Sequence, residues 1–296
     1  MWQPPPPGPL EPVDLPVCRT AGVRLFCKRD DRYRHPGHRA LQGNKVRKLA
    51  HLLRSFSPLP PRPRPRVLTY GGAYSNHLAA IAEAGKHYGF SVHCRVRGEP
   101  VRNPVLDFVR ACGATLEWTD REAYRRQTRG RNQLQREGDH LVIPEGGTVP
   151  EALEDTGDLY SEITTQLGGA PDVVALAMGT GGTAAGVIRR AAGRSRIEVF
   201  PALRGNWTAG VLREMAGPHP FTVVADYHFG GYGKFPAHWA GSRGKGIVTP
   251  ARVASGLPPL EPVYTAKLFY GLLDRIGRGL YPRGTRLVAI HTGGIF

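Results

Sequence analysis

The sequence predicts an α/β protein of two lobes, each a mostly parallel twisted sheet covered by helices. Near-continuous apolar segments such as Val173–Met178 are typical of strands that are buried on both faces of a parallel sheet. Segments with helical apolar spacing alternate with these strands, and glycine-rich turns follow several of them, as in open α/β folds. A length of 296 residues exceeds the usual single core and agrees with two lobes.

Each predicted strand is a short apolar run bounded by turn residues. These runs are residues 23–28, 67–70, 91–96, 114–118, 141–144, 173–178, 197–202, 223–225 and 287–291. The predicted helices carry apolar residues three or four positions apart. They are residues 45–53, 77–88, 104–112, 122–137, 150–167 and a helix that follows Thr183. The proline-rich first fifteen residues are expected to be extended.

Composition is typical of a soluble globular protein, with 41% hydrophobic and 22% charged residues. No run approaches the roughly 18 apolar residues of a membrane helix. The start of the sequence lacks the basic region and apolar core of a secretory signal, and the four cysteines lack metal-ligand spacing. We therefore expect a cytoplasmic protein with reduced thiols, no metal site and no membrane association.

The formal net charge of +16 raises the possibility of a nucleic-acid partner. Arginine is spread along the whole chain, however, with local runs only at residues 62–66 and 121–131. Neither a basic recognition helix nor an aromatic and basic stripe is present. We expect no nucleic-acid partner and interpret the charge as attraction for anionic substrates or as an aid to solubility.

Four loops follow apolar strands at their carboxyl ends, where open α/β folds bind ligands. They are residues 71–76, 145–148, 179–183 and 292–294. In the third loop, glycine amides, the hydroxyls of Thr180 and Thr183 and the following helix start favour a phosphate. An ordinary βα turn explains any one loop better, but four such loops at strand ends together favour a ligand site. The third loop also matches the dinucleotide fingerprint, but Glu198 lies inside the next strand rather than at its end, so we favour phosphate alone.

Lys45 and Lys48 lie three residues apart on one face of a predicted helix. Lys45 is in the first turn, where the helix dipole disfavours a cation, and each ammonium disfavours the other. Both effects lower a lysine pKa, as an amine nucleophile requires. Two solvated lysines are the ordinary alternative, and local physics does not decide which of the two is the nucleophile.

Polar side chains also follow the double glycine of the first loop. Asn76 is able to donate to a phenolic oxygen. Ser75 and His77 are each able to hold a carboxylate or to move a proton. A helix N-cap is an equally good interpretation of Ser75 or Asn76. The segment Tyr227–Tyr232 mixes aromatic residues with glycine, which fits a pocket wall as well as a core turn.

Taken in order, these segments resemble the 1-aminocyclopropane-1-carboxylate deaminase and D-cysteine desulfhydrase family, which belongs to the tryptophan-synthase-β group of pyridoxal 5'-phosphate (PLP) enzymes. The resemblance runs from about residue 23 to the end. Its segments are Gly43-Asn44-Lys45-x-x-Lys48-Leu49, Gly71-Gly72-x-x-Ser75-Asn76, Pro144-Glu-Gly-Gly147, Gly179-Thr-Gly-Gly-Thr183, Glu261-Pro-Val-Tyr264-Thr265 and His291-Thr-Gly-Gly294.

The resemblance implies PLP as cofactor, held on Lys45 as a Schiff base, a small amino acid as substrate, and a homodimer. The implied catalytic residues are Lys45, Lys48 as auxiliary lysine, Ser75, Tyr232 and Tyr264. The implied cofactor-binding residues are Lys45, Asn76, Gly179, Thr180, Gly181, Gly182, Thr183, Thr265 and Thr292. The implied substrate-binding residues are Ser75, Asn76 and His77. The expected domains are a large PLP-binding domain of residues 1–46 and 149–296 and a small domain of residues 47–148.

Two positions bear on the reaction. Ring-opening deaminases resemble one another in having Glu and Leu where this chain has Thr265 and Thr292. A carboxylate keeps the pyridine nitrogen protonated, whereas a neutral hydroxyl makes the ring a weaker electron sink, which suits departure of a good leaving group. We therefore favour elimination from D-cysteine to pyruvate, ammonia and sulfide. The alternatives are aminocyclopropane-carboxylate deamination, a serine or threonine dehydratase activity, and PLP binding without turnover.

Overall fold

The computed structural model describes residues 2–56, 65–231, 234–236 and 256–294. These residues form two compact units, each built on one sheet. The five-stranded unit consists of Arg34–Asp155 and the first residues up to Pro6. The six-stranded unit consists of Pro7–Tyr33 and the described residues from Thr156 onward.

The six-stranded unit has the strand order β1-β2-β11-β8-β9-β10. Its strands are β1 (Leu10–Val13), β2 (Arg24–Lys28), β8 (Val173–Met178), β9 (Arg196–Pro201), β10 (Thr222–Val223) and β11 (Arg286–Ile290). All neighbours pair in parallel except β1, which is antiparallel to β2. The helices are α1 (Pro16–Ala21), α6 (Glu151–Leu167), α7 (Gly182–Ala191), α8 (Thr208–Ala216) and α9 (Thr265–Gly277), of which α6 begins in the other unit.

The five-stranded unit has the strand order β5-β4-β3-β7-β6. Its strands are β3 (Arg66–Gly72), β4 (Ser91–Arg97), β5 (Thr115–Thr119), β6 (Gln135–Glu137) and β7 (His140–Ile143). Only the pairing of β6 with β7 is antiparallel. The helices are α2 (Asn44–Phe56), α3 (Asn76–Tyr88), α4 (Pro104–Ala111) and α5 (Arg121–Thr128). In neither unit does a described helix combine the length and the apolar character needed to span a membrane.

Burial follows the apolar pattern of the sequence. All six residues of β8 are buried, as expected for a central strand with parallel neighbours on both sides and helices on its faces. Leu176 at its centre is fully buried, and burial of such a side chain stabilises the fold by about 1.5–3 kcal/mol relative to exposure. The four cysteines are free thiols, and three of them are buried.

The predicted fold class is confirmed, because both sheets are mostly parallel and helices cover them. The helix predicted over residues 122–137 is wrong in its second half. It ends at Thr128, since Arg129 is extended and Gly130 has a φ of +71°, and residues 135–137 form β6 instead. The strand predicted over 223–225 is also shorter, because a 3-10 turn begins at Ala225.

The boundaries of the units differ from the predicted domain boundaries. Residues 34–46 lie in the five-stranded unit, where the buried carboxylate of Glu83 in α3 accepts hydrogen bonds from the backbone amides of Arg39, Ala40 and Leu41 at 2.7–3.1 Å. Residues 149–155 also belong to it. A carboxylate that binds several amides fixes their segment firmly, because charge-assisted hydrogen bonds are stronger than neutral ones.

Candidate active site

Lys45 lies in the first turn of α2, in the five-stranded unit. Gly43 precedes the helix with a φ of +57°, a conformation that glycine adopts at little cost. The first turn contains no acidic residue, and the positive end of the helix dipole lies at the lysine. Lys45 is half-buried, and its Nζ donates to Oδ1 of Asn44 at 2.9 Å. The side chain is thus accessible and oriented by its neighbour.

Lys48 is buried one turn further along the same helix. Its Nζ lies 2.8 Å from Oγ1 of Thr148 and 3.2 Å from the carbonyl oxygen of Gly146. Burial, reinforced by the nearby charge of Lys45, holds the pKa of Lys48 well below its usual range. Burial therefore favours the neutral form of Lys48, and two oxygen atoms lie within hydrogen-bond distance of its Nζ. The structure thus distinguishes two lysines that the sequence pattern could not separate.

The loop that follows β7 reaches Lys48 because of its glycines. Gly147 has a φ of +67°, and a Cβ atom there would lie 3.2 Å from Cε1 of His77 and 3.6 Å from Cβ of Lys48. Positive φ and close approach both require glycine at this position. Among the predicted residues, the structure brings together Lys45, Lys48 and His77 with the loop of residues 145–148.

His77 is buried in the first turn of α3 and contacts β3. Its Nε2 lies 2.8 Å from Oγ1 of Thr69, and that hydroxyl donates to the carbonyl oxygen of Ile143 at 2.9 Å. Because the hydroxyl has only one proton, Nε2 must be the donor. Burial and the charges of Lys45 and Lys48 lower the pKa of His77 to about 3. His77 is a neutral imidazole, and its buried Nδ1 has no partner among the described residues.

Ser75 and Asn76 stand at the junction of the first glycine loop and α3. Ser75 is the N-cap, and its Oγ accepts from the amide of Leu78 at 3.4 Å, as in the capping interpretation. The side-chain amide of Asn76 is half-buried and makes no hydrogen bond within the described part of the chain. Tyr74, in the same loop, is 72% exposed, which the sequence pattern did not single out.

In the six-stranded unit, the loop of residues 179–181 joins β8 to α7. Gly181 caps the helix with a φ of +94°, so the first amides of α7 have no carbonyl partner within the helix. A Cβ atom at Gly179 would lie 3.1 Å from Cε1 and from the hydroxyl oxygen of Tyr264. The structure therefore brings Tyr264 against the glycine loop. Amides at a helix start and threonine hydroxyls, such as those of Thr180 and Thr183, are groups that commonly bind anions.

Thr265 and Glu261 form the start of α9. The buried carboxylate of Glu261 accepts from the amides of Val263, Tyr264 and Thr265 at 2.5–2.8 Å. The hydroxyl of Thr265 accepts from the amide of Glu261 at 3.0 Å and donates to its carbonyl oxygen at 3.3 Å. Burial raises the pKa of Glu261, although the three amides act in the opposite direction. To donate a hydrogen bond to a ligand, the hydroxyl of Thr265 would have to turn away from the carbonyl oxygen of Glu261.

His291 and Thr292 follow β11 directly. Nε2 of His291 lies 2.7 Å from the carbonyl oxygen of Pro259, which ties this strand end to the segment before Glu261. Thr292 is buried, and its hydroxyl makes no hydrogen bond to a described residue. Thr292, Thr265 and Tyr264 therefore belong to one part of the six-stranded unit.

Tyr232 and Lys267 are the last two residues that bear on the site. Tyr232, a predicted catalytic residue, lies outside the described residues. Lys267 was not singled out, yet its buried Nζ donates to the carbonyl oxygens of Ala202, His228 and Gly231 at 2.7–2.9 Å. Burial lowers the pKa of Lys267 to about 8. Lys267 thus holds the segment that leads to Tyr232, and no pattern of spacing marks it.

The five-stranded unit offers an accessible amine, a buried amine with a lowered pKa, an unpartnered amide and a neutral imidazole. The six-stranded unit offers the amides of a helix start, a tyrosine and two buried threonines. Residues 6–206 match the family described as pyridoxal-phosphate dependent enzymes. This match covers more than half of the chain, so the chain belongs to the class of PLP-dependent enzymes.

Within that class, the chain belongs to the 1-aminocyclopropane-1-carboxylate deaminase and D-cysteine desulfhydrase family. It is 30% identical to a protein of Pyrococcus abyssi that is provisionally named a 1-aminocyclopropane-1-carboxylate deaminase, over 94% of this chain and 87% of that one. It is 28% identical to the bifunctional D-cysteine desulfhydrase/1-aminocyclopropane-1-carboxylate deaminase of Arabidopsis thaliana, over 98% and 76%. A crystal structure of an aminocyclopropane-carboxylate deaminase homologue superimposes with a TM-score of 0.74 at 28% identity, covering 98% of this chain and 90% of that chain.

Proposed function

We propose that this enzyme eliminates the β-substituent of D-cysteine or a similar β-substituted amino acid. With D-cysteine, the substrate and one water give pyruvate, ammonia and sulfide. The observation that carries this proposal is Thr265, a neutral side chain where ring-opening deaminases have Glu. Thr292, where they have Leu, is the second difference. When bound, PLP supplies an aldehyde that links to amines and a ring that withdraws electrons from the substrate α-carbon.

In this proposal Lys45 is the amine that carries the cofactor. It is the more accessible of the two lysines, and the helix dipole favours its neutral, nucleophilic form. Asn76 would donate its unpartnered amide to the phenolic oxygen. The amides and hydroxyls of residues 179–183 would bind the phosphate, as helix N-termini commonly do.

Lys48 is proposed to take the proton from the substrate α-carbon. Its depressed pKa supports this role, because a base must be neutral at working pH. The hydroxyl of Thr148 and the carbonyl of Gly146 would stabilise the ammonium that forms. Lys45 remains the alternative base, since it is released when substrate takes its place.

Ser75 and His77 are proposed to bind the substrate. Ser75 is the N-cap of α3. A carboxylate that accepts a hydrogen bond from its hydroxyl would also be stabilised by the positive end of the helix dipole. The unpartnered Nδ1 of His77 is an acceptor, which suits a donor group of the substrate. Tyr264, packed on Gly179, is proposed to act at the reacting centre, and Tyr232 beside the substrate.

Thr265 bears on the choice of reaction because its side chain carries no negative charge. Its hydroxyl is neutral and already satisfied by the backbone of Glu261. With no carboxylate at this position to protonate the pyridine nitrogen, electron withdrawal is weaker. Departure of thiolate, a good leaving group, depends less on a strong electron sink than cleavage of a carbon ring does.

The test is a substrate panel with the purified holoenzyme. D- and L-cysteine, D- and L-serine, β-chloro-D-alanine and 1-aminocyclopropane-1-carboxylate are incubated separately, and pyruvate, 2-oxobutanoate, ammonia and sulfide are quantified. We expect equal amounts of sulfide and pyruvate from D-cysteine and no 2-oxobutanoate from the cyclopropane. The proposal would be contradicted if the cyclopropane gave 2-oxobutanoate while D-cysteine gave no sulfide.

A second candidate activity is 1-aminocyclopropane-1-carboxylate deamination, which is favoured by the names of the Pyrococcus abyssi and Arabidopsis thaliana relatives. The same panel distinguishes it. By family resemblance we also propose a cytoplasmic homodimer, for which sedimentation velocity should give twice the chain mass.

A further inference from the structure

The five-stranded unit contains a cavity that the proposed function does not use. It has a volume of about 360 Å³ and is lined by Gly72, Ala73, Arg97, Arg121 and Arg125, a set that we name the arginine pocket. This volume lies at the lower end of the range for small-molecule sites. The pocket is where β3 and β4 end and α5 begins, so it occupies the carboxyl edge of a parallel sheet.

The pocket lies on one defined face of the sheet. Gly72, Arg97 and Thr119 are in register on three adjacent parallel strands, so their side chains share a face. That face is covered by α5, because Tyr70, two residues before Gly72, packs edge-to-face on Tyr124 of α5. Thr69 precedes Tyr70 and therefore points to the opposite face, where it meets His77. The pocket and the histidine site are thus separated by the sheet itself.

The three pocket arginines have no acidic partner among the described residues. Other arginines of the same run are paired, since Arg126 lies 2.6 Å from a carboxylate oxygen of Glu122 and Arg131 pairs with Glu137. In the run at residues 121–131, noted in the sequence, two arginines are therefore paired within the chain, two line the pocket, and Arg129 is exposed outside it. Uncompensated guanidinium groups around a cavity favour an anion.

The three pocket arginines are solvent-exposed like charges that line one cavity. Arg121 and Arg125 are one helical turn apart on the same face of α5, where like charges repel. Arg121 is also in the first turn, at the positive end of the helix dipole, and Asp120 offsets this only in part by capping the helix. Arg97 is held over the ring of Tyr124, 5.5 Å from its centroid. A multiply charged anion would relieve the repulsion.

Gly72 and Thr119, which share a row with Arg97, lie close to the pocket arginines. A Cβ atom at Gly72 would lie 3.6 Å from Nη2 of Arg97, an ordinary contact, and the glycine leaves the space beside the guanidinium open. Thr119, in the same row as Gly72 and Arg97, has a buried Oγ1 with no hydrogen-bond partner in the described residues. Because Thr119 does not line the pocket, the three arginines are the polar side chains that a ligand would meet there.

We propose that the arginine pocket binds a small phosphate-bearing anion, either inorganic phosphate or a phosphate monoester. Guanidinium groups match phosphate oxygens in pairs, and three of them balance a dianion better than a single carboxylate. This ligand would lie on the opposite side of the sheet from His77. The inference does not rest on which amino acid the enzyme uses.

The experiment uses holoenzyme saturated with PLP and freed of excess cofactor. Inorganic phosphate, pyrophosphate, glycerol 3-phosphate and succinate are titrated calorimetrically at constant ionic strength, while the visible band of the bound cofactor is monitored. We expect one phosphate-bearing anion per chain, with the phosphate and glycerol 3-phosphate arms distinguishing free phosphate from an ester. The Arg121→Ala/Arg125→Ala double variant should weaken binding by about tenfold or more.

Arg129→Ala is the matched control, because it removes one exposed positive charge from the same run outside the pocket and should leave affinity unchanged. If the double variant does not fold, judged by its circular dichroism, Arg125→Gln alone serves instead. Equal affinity in all variants would assign binding to general positive charge and overturn the proposal. So would succinate binding as tightly as phosphate, loss of the cofactor band on titration, or no binding at millimolar phosphate.

Discussion

The Oγ1 atom of Thr69 lies 2.8 Å from Nε2 of His77, and the same hydroxyl donates to the carbonyl oxygen of Ile143. One hydroxyl proton cannot serve both neighbours, so the imidazole must donate from Nε2 and present Nδ1 as an acceptor. A β-strand residue thereby fixes the tautomer of a histidine on the following helix. Catalytic and ligand histidines are commonly oriented through their second nitrogen in this way.

Replacing Thr69 by valine should remove this control with little change in volume. The Nε2–H would lose its acceptor while remaining buried, which typically costs about 1–3 kcal/mol of unfolding free energy. Urea denaturation measures that loss, and nitrogen NMR of the imidazole reports the tautomer. Thr69→Ser keeps the hydroxyl and should restore both. Valine and wild-type proteins with the same stability and tautomer would refute the hydrogen-bond assignment.

The pKa of His77 predicts a specific loss of stability in acid. Its folded value is about 3, whereas an unfolded histidine titrates near 6.5, so between these values the unfolded chain binds the extra proton. The free energy of unfolding should therefore fall as pH drops below 6.5, by up to about 1.4 kcal/mol per pH unit from this group. Denaturation of wild type and His77→Gln from about pH 8 to pH 5 tests this, and parallel pH profiles would exclude it.

Gly147→Ala should disturb the lysine and histidine group together. The substitution combines a φ of +67° with a Cβ only 3.2 Å from His77, and we expect a loss of about 1–3 kcal/mol in unfolding free energy. Gly113→Ala is the control, because Gly113 has a φ of +87° with open space around it. Its cost isolates backbone strain from the clash. Equal destabilisation by both would mean that the contact with His77 contributes nothing.

Tyr264→Phe should separate cofactor binding from turnover. The ring would still pack on Gly179, so the cofactor should remain bound, while loss of the hydroxyl should lower kcat by about 10²-fold if it moves a proton. Tyr270→Phe, in the aromatic cluster with Tyr227 and Phe229, is the matched control. The visible band and steady-state rates are measured for both. An unchanged kcat in Tyr264→Phe would remove that hydroxyl from the mechanism.

Much of the fold was predictable from the sequence, because buried parallel strands leave a strong apolar signal. The strand predicted at Val173–Met178 has the observed bounds. The end of α5 was missed because the charged residues after Thr128 continue a helical composition, and the break depends on the conformation of Gly130. Helices α1, α8 and α9 were not predicted.

The candidate site was predictable only in part, because its contacts join distant segments. Thr69 is a polar residue inside an apolar strand, which is a usable signal, but its contact with His77 depends on strand and helix packing. Lys45 and Lys48 look alike in sequence, and only burial against residues 146–148 separates their chemistry. Lys267 binds carbonyl groups from two distant segments, which spacing does not reveal.

In the proposed site Lys45, and not Lys48, carries the cofactor. Borohydride reduction of the holoenzyme fixes the lysine-bound pyridoxyl group, and peptide mass spectrometry then locates it. We predict the label on Lys45, with Lys48→Ala still labelled there and still absorbing in the visible range but losing turnover. A label on Lys48 or another lysine, or full labelling of Lys45→Ala, would contradict the account.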